Sequence, residues 1–395
     1  MFSLDKFYIV LHNNLIQPVN HNSRSVYFFP FGTYDTQAVL ADSVDTQIDD
    51  TGRSWGEKGF FHCYFFDQEP FYDFTKLIVE KSRLSFKHVV RPNRYKILTV
   101  SEYSEIVNTY STSEDYHVWY YFFHGFAALD WYRDFQYIEP QSFNRFDKVF
   151  ICYNHLSSKL RSYRLHLVSN MIQQNLIQHG HVSLFLKDNQ GGWKETITDP
   201  ENPLDNRARV KIYHTLKDIK ESLIIDTDAS NGSMSANVSF DQLTSALWHI
   251  VTETVYFDPK LHLTEKIFKP IVAKRPFILV AGPGNLAYLK SYGFKTFDRW
   301  IDESYDLEQD HYIRIEKITA ELARLCAMDP STLGQMHVEM QGILEYNFNH
   351  FYTTFKDLII DELVDNFENL LHLTSNYNKQ LSNEYLLEVK KRLKQ

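Results

Sequence analysis

Thr264, Glu265 and Lys266 stand immediately before an apolar run in LTEKIFKPIVAKRPFILVAG, residues 263–282. Thr264 is a good helix N-cap. The backbone N–H groups after an N-cap lack intrahelical partners and sit at the positive end of the helix dipole, so such an end is an anion site. A cation in the first turn opposes that dipole, and Lys266 therefore costs helix stability where it stands. Helix end plus lysine is a cradle for a diphosphate. The carboxylate of Glu265 would repel phosphate, yet it can accept two hydrogen bonds from a ribose diol, and the pair suits a nucleotide diphosphate. The plainer reading is an exposed Glu-Lys pair on a first turn.

The elements that must position these residues follow from the hydrophobic pattern. The runs KFYIVLHN, SVYFFPFG, FFHCYFFDQEP, YKILTVSEYSE and HVWYYFFHGF each end in a polar or charged loop, as strands buried on both faces do. Segments between them, such as FYDFTKLIVEKSR, have helical spacing. A second unit opens near residue 146, with FDKVFICYN as a strand, RSYRLHLVSNMIQQNLIQ as a helix and HVSLFL as a strand. Residues 187–211 are rich in Gly, Asn, Asp and Pro and predict a long loop or insertion. The α/β rhythm resumes with SLIIDTD, SALWHIVTETVYF, EKIFKPIVA, FILVAG, NLAYLKSYG and FKTF. The tail from residue 303 is helical in pattern and ends in NEYLLEVKKRLKQ, whose Leu386, Leu387 and Val389 face one way and whose lysines face another. A chain of 395 residues is expected to build two cores. The predicted organisation is α/β throughout: one domain over 1–145, a second over 146–375 and a C-terminal helix over 376–395, the two domains facing across a cleft.

Upstream context sharpens the first motif. The segment HIVTETVYFDPKLHLTEKIFKPIVAKRPFILVAG, residues 249–282, resembles the donor-binding signature of the α1,3-fucosyltransferases. In that signature a strand ending in a Glu-Asn-Ser-like turn precedes Thr-Glu-Lys, a helix, a Pro-containing turn and a strand ending in Gly. Glu253 matches the first acid, Thr264 to Lys266 the triplet, and Pro276 to Gly282 the final strand. Here Glu253 is followed by Thr-Val instead of Asn-Ser, and Lys274 and Arg275 replace small residues of the family's helix. The resemblance extends back over YNHLSSKLRSYRLHLVSNMIQQNLIQHGHVSLF, with Arg161 and Arg164 as candidate phosphate ligands. It implies two Rossmann-like domains in a GT-B-like fold and a glycosyltransferase activity using a UDP- or GDP-sugar as co-substrate, without a cofactor or essential metal. Glu253 would contact sugar or ribose, Glu265 the ribose hydroxyls, and Lys266 a phosphate. The first 145 residues, with FFDQEPF, SEYSE and FFHGFAALDWYRDF, look more like glycosyltransferase-like proteins of tailed bacteriophages.

Such a reaction needs a general base, because the acceptor hydroxyl loses its proton as it attacks the anomeric carbon. Asp67 and Glu69 follow the run FFHCYFF and are the leading candidates, with Glu102, Glu105, His124 and Asp130 as alternatives. If the phage likeness extends to the acceptor, it is a hydroxymethylated pyrimidine in DNA, gripped by the basic strip Lys81, Arg83, Lys87, Arg91, Arg94 and Lys96. A saccharide of a surface glycan is the alternative acceptor, and a non-catalytic α/β binding protein the alternative class. A metal-dependent reading would rest on Asp226 and Asp228. The loop Gly282-Pro283-Gly284 lacks dinucleotide and Walker A spacing and is expected to shape the floor under the nucleotide base.

Composition bounds these readings. A net charge of −9 would repel nucleic acid and anionic membranes globally, so any polyanion site is local. Cys63, Cys152 and Cys326 are far apart and lack CxxC spacing, which argues against a disulfide framework or a zinc site. The opening MFSLDKFYIVLHNN lacks a basic n-region and a small-residue cleavage site, and no stretch reaches ~18 uninterrupted apolar residues. The expectation is a cytoplasmic protein, in the host cytoplasm if phage-encoded, with no membrane span. Its oligomeric state is not legible.

Overall fold

The computed structural model describes residues 26–29, 61–66, 95–100, 116–120, 122–136, 146–188, 191–225 and 239–373, together with 387, 388, 390, 391 and 394. The chain divides into two compact units, one of residues 1–130 with 356–395 and one of residues 131–355.

The first unit contains a four-stranded parallel sheet in the order of the sequence. Its strands are β1 (Val26–Phe29), β2 (Phe61–Phe66), β3 (Tyr95–Val100) and β4 (Tyr116–Tyr120). Register pairs Val26 with Cys63, Phe61 with Tyr95, and Lys96 with Tyr116. Helix α1 (Phe123–Trp131) follows β4 and is mostly apolar apart from His124 and Asp130, with Phe126, Ala127, Ala128 and Leu129 buried.

The second unit is built on a parallel sheet of β5 (Lys148–Cys152), β6 (Gly180–Val182), β9 (Ala246–Thr252) and β10 (Phe277–Val280), in the order β10-β9-β5-β6. All seven residues of β9 and all four of β10 are buried, as expected for strands covered on both faces. After β5 the chain adds β6 on one side and returns to place β9 on the other. The strand order therefore reverses between β5 and β9, and in open α/β sheets the crevice at the carboxyl ends of two such strands is where ligands bind.

Helix α2 (Tyr163–Gln173) joins β5 to β6 and is buried at every residue from Tyr163 to Met171. Between β6 and β9 come the short hairpin β7 (Lys187–Asp188) and β8 (Gly191–Gly192), α3 (Trp193–Thr198), α4 (Asn206–Leu216) and α5 (Phe240–Ser245). The expected loop over 187–211 is thus structured. Asp205 caps α4 through the N–H of Ala208, and Ala208, Ile212 and Leu216 bury one narrow stripe that a mostly polar sequence conceals. The expected strand SLIIDTD is, over its described residues, a single bridge between Leu223 and Leu184.

The expected helix at Thr-Glu-Lys begins as a 3-10 turn, Glu265–Ile267, and continues as the five-residue α6 (Phe268–Val272). Pro270 is tolerated in so early a turn, and left-handed Lys274, φ 51°, with Pro276 ends the helix before β10. Helix α7 (Asn285–Ser291), α8 (His311–Cys326) and α9 (Pro330–His350) complete the unit, and α2 packs against α4 and α8. In the first unit α10 (Lys356–Leu373) packs on β4 and buries Ile359, Ile360, Leu363 and Val364. Near the C-terminus, Lys390 pairs with Asp361 and Asp365 and Lys394 with Asp357 and Asp361, while Leu387 is exposed. There the lysines, not Leu387, face the neighbouring helix. No helix among the described residues is long and apolar enough to cross a membrane.

Candidate functional site

Four of the expected site residues meet at the carboxyl end of β9. Strand register carries Glu253 one residue past the strand, where its N–H donates to the Val280 carbonyl, 3.0 Å, and its side chain is fully buried. The carboxylate turns toward the loop at Thr264. One oxygen accepts the Thr264 N–H, 3.2 Å, and the other accepts the Thr264 hydroxyl. Burial raises the Glu253 carboxyl above its ordinary range, and Lys266 and the Thr264 hydrogen bonds pull it back down.

Thr264 is the expected cap, its hydroxyl accepting the Lys266 N–H at 3.4 Å. Lys266 folds back over the same residue. Its ammonium donates to the hydroxyls of Thr264 and Thr254, 3.1 Å each, and lies 3.2 Å from a carboxylate oxygen of Glu265. Glu265 is buried, whereas the Lys266 side chain keeps 26% of its exposure. These contacts offset the unfavourable placement of a cation in a first turn. Because α6 is short, the lysine rather than a long helix dipole supplies the positive charge here.

Arg164 reaches the same strand end by another route. It is 4% exposed, and its guanidinium donates to the carbonyls of Leu156, 2.7 Å, Thr252, 2.9 Å, and Glu253, 3.2 Å. The adjacent Tyr163 hydroxyl donates to the Glu253 carbonyl as well, and its ring stacks on Tyr256 with centroids 4.2 Å apart. Arg164 therefore ties the loop after β5 to the end of β9 through main-chain oxygens. Arg161 ends the half-turn Lys159–Arg161 in that loop and is half-buried. Asp188 secures the loop from the hairpin, accepting the N–H groups of Ser157 and Ser158, 2.9 and 3.2 Å, and the Ser158 hydroxyl.

The loop Gly282-Pro283-Gly284 follows β10. A Cβ at Gly282 would lie 2.8 Å from the Asp258 carbonyl, and Gly284 is left-handed, φ 81°. The N-terminus of α7 beyond it is already held by Asp306, whose carboxylate accepts the N–H groups of Leu286, 2.9 Å, and Ala287, 3.1 Å. An incoming anion there would have to displace a resident one.

Asp67, Glu69, Glu102, Glu105, Asp226, Asp228, Lys81, Arg83, Lys87, Arg91 and Arg94 lie outside the described residues, and Lys96 is placed in β3 by its backbone. His124 is buried in α1 and Asp130 is half-buried in its last turn. Among the described residues no group of three or more His, Cys, Asp or Glu could hold a metal ion. Burial pushes the Cys152 thiol up to about 12.

Sequence reasoning missed Tyr163, Thr254 and Asn154. Asn154 follows β5, is fully buried, and donates from its side chain to the Ser183 carbonyl at 3.1 Å, while its Oδ1 accepts nothing among the described residues. The available signal was position: each is a polar residue adjoining a strand end or a residue already singled out. The chain matches no protein-family model, no curated protein and no solved structure.

Proposed function

We propose that the protein is a glycosyltransferase that moves a sugar from a nucleotide diphosphate sugar to an acceptor hydroxyl, without an essential metal. The observation carrying this reading is the grouping of Lys266, Thr264, Glu265 and Glu253 at the carboxyl end of β9, beside the reversal of strand order. A partly exposed ammonium at that place suits the diphosphate, whose negative charge grows as the glycosidic bond to the sugar breaks; stabilising that charge is the main source of rate in such reactions. Glu265 is the group for the ribose hydroxyls. Arg164, engaged with carbonyls, serves this site by holding the strand end and the loop that carries Arg161. The proposal includes a GT-B-like arrangement, with the acceptor and the base on the first unit and closure that keeps water from the donor. A hydroxymethylated pyrimidine in DNA and a glycan hydroxyl are the two acceptors it admits.

Thermal unfolding with UDP, GDP, CMP, dTDP and ADP, each with and without EDTA, tests the donor site. A nucleotide at about a hundred times its Kd stabilises the fold by roughly 2.7 kcal/mol. The expected result is stabilisation by one nucleoside diphosphate that EDTA leaves unchanged and Lys266→Ala abolishes. No shift with any nucleotide would overturn the proposal in favour of a non-catalytic binding protein, and loss of the shift in EDTA would favour a metal-dependent enzyme.

A further inference from the structure

We infer that Glu253 is a positioning residue that acts on Lys266 through the Thr264 hydroxyl, and that it touches no ligand itself. The inference rests on the donor-site reading only for its consequence, since the linkage is a matter of geometry. Glu253 is fully buried, and both of its carboxylate oxygens face Thr264, one on the N–H and one on the hydroxyl. A hydroxyl carries one proton and two acceptor lone pairs. With its proton directed at Glu253, the Thr264 oxygen presents lone pairs to the Lys266 side, where the main-chain N–H lies at 3.4 Å and the ammonium at 3.1 Å. The carboxylate thus sets the polarity of the hydroxyl, and the hydroxyl orients the ammonium.

The other contacts complete the orientation. Thr254, the residue after Glu253, accepts from the ammonium at 3.1 Å, and Glu265 approaches at 3.2 Å. Among the described residues two hydroxyls and one carboxylate lie against the ammonium, and Lys266 remains the most exposed member of the cluster. Among the described residues the ionisable groups facing the cluster include Glu265 on the same turn, Glu253 beyond β9, Tyr163 and Arg164 on α2, and Tyr132, whose hydroxyl lies 3.5 Å from the Glu265 carbonyl. Glutamine cannot replace Glu253 in this arrangement. It offers one acceptor oxygen where Thr264 presents two donors, so either the N–H or the hydroxyl meets an amide donor.

The test uses the full chain with 15N-labelled lysine, the Lys266 ammonium signal being assigned by its loss in Lys266→Arg. The expected result is a slowly exchanging Lys266 ammonium in the parent and in Thr264→Ser, and a rapidly exchanging one in Thr264→Val and Glu253→Gln. Binding of inorganic pyrophosphate is expected to fall about tenfold or more in the latter two variants and to stay within about threefold in Thr264→Ser, the scale set by losing a hydrogen bond to a charged group. Thr264→Val removes the hydroxyl that joins Glu253 to Lys266 and keeps the glutamate itself in place, so the linkage is still probed if Glu253→Gln misfolds. An unchanged Lys266 signal in folded Thr264→Val overturns the inference. Pyrophosphate binding unaffected by Lys266→Ala would instead overturn the donor-site reading, while the ammonium signal still decides the linkage.

Discussion

The guanidinium of Arg164 reaches the main chain of Glu253, its Nη2 3.2 Å from that carbonyl, while the carboxylate of the same residue is given to Thr264. One residue is held from two sides: α2 secures its backbone and the loop before α6 secures its side chain. Main-chain carbonyls at the end of a buried strand lack a following ladder partner, and an uncompensated one is costly.

Arg164→Ala should therefore be strongly destabilising. It strips the donor from three carbonyls in a buried setting, and a loss of about 3 kcal/mol or more is expected. Arg164→Lys should recover little, because an ammonium lacks the planar fork that spans Leu156 on one side and Thr252 with Glu253 on the other. Urea unfolding of the three proteins measures this; a lysine variant as stable as the parent would show that charge alone suffices.

His249 makes stability depend on acid. Burial in β9 is the first cause holding its imidazole down at about 3, despite the Leu243 carbonyl that faces the ring; Arg275 and Lys269 push the same way. An unfolded histidine titrates near 6.5, so between about pH 6.5 and pH 3 the unfolded chain binds a proton that the folded chain does not. The contribution of His249 is complete above about pH 6.5 and is lost progressively as pH falls toward 3. Unfolding free energy measured at pH 4, 5, 6 and 7 should rise with pH, and the slope should be shallower in His249→Asn whatever that variant's absolute stability.

Gly282→Ala should lower stability by about 1–3 kcal/mol, the range for a side chain forced into filled space. Its added methyl would meet the Asp258 carbonyl at 2.8 Å, and that oxygen belongs to the backbone and cannot rotate aside. Thermal unfolding decides it: an unchanged Tm would mean that the loop after β9 yields easily.

Ile212→Ala tests the helix that replaces the expected loop. Ile212 is fully buried in the middle of α4, so truncation should cost about 2–5 kcal/mol, whereas Val210, exposed on the same helix, should tolerate alanine within about 0.5 kcal/mol. Equal effects at the two positions would contradict the helical stripe.

How much of this was legible follows from where each signal resides. The strands β9 and β10 could be read directly, because a run buried on both faces is mostly apolar, with His249 and the terminal Thr252 the polar members of β9; β5 shows the same signal over its buried half, Phe150–Cys152. Thr264 could be read as a cap because capping is a contact between near neighbours. Helix α4 could not, since its buried positions are three in a segment otherwise dominated by turn formers and charges. Near the C-terminus helical spacing could separate Leu387 from the lysines but not say which face meets a partner, and the partner surface presents Asp357, Asp361 and Asp365 and takes the lysines.

The sequence by itself determined that the chain alternates strands and helices, that a capped turn precedes β10, and that Glu253, Glu265 and Lys266 are close enough along the chain to share one end of the fold. Only tertiary structure decided their duties. Strand order placed β9 beside β5, packing turned the Glu253 carboxylate inward to Thr264, and α2 brought Arg164 to carbonyl oxygens instead of leaving it facing solvent. The physical reason is that hydrophobic periodicity and capping are local properties of a segment. A main-chain acceptor, by contrast, looks the same in every residue, so which charge it will meet is written only in contacts between distant parts of the chain.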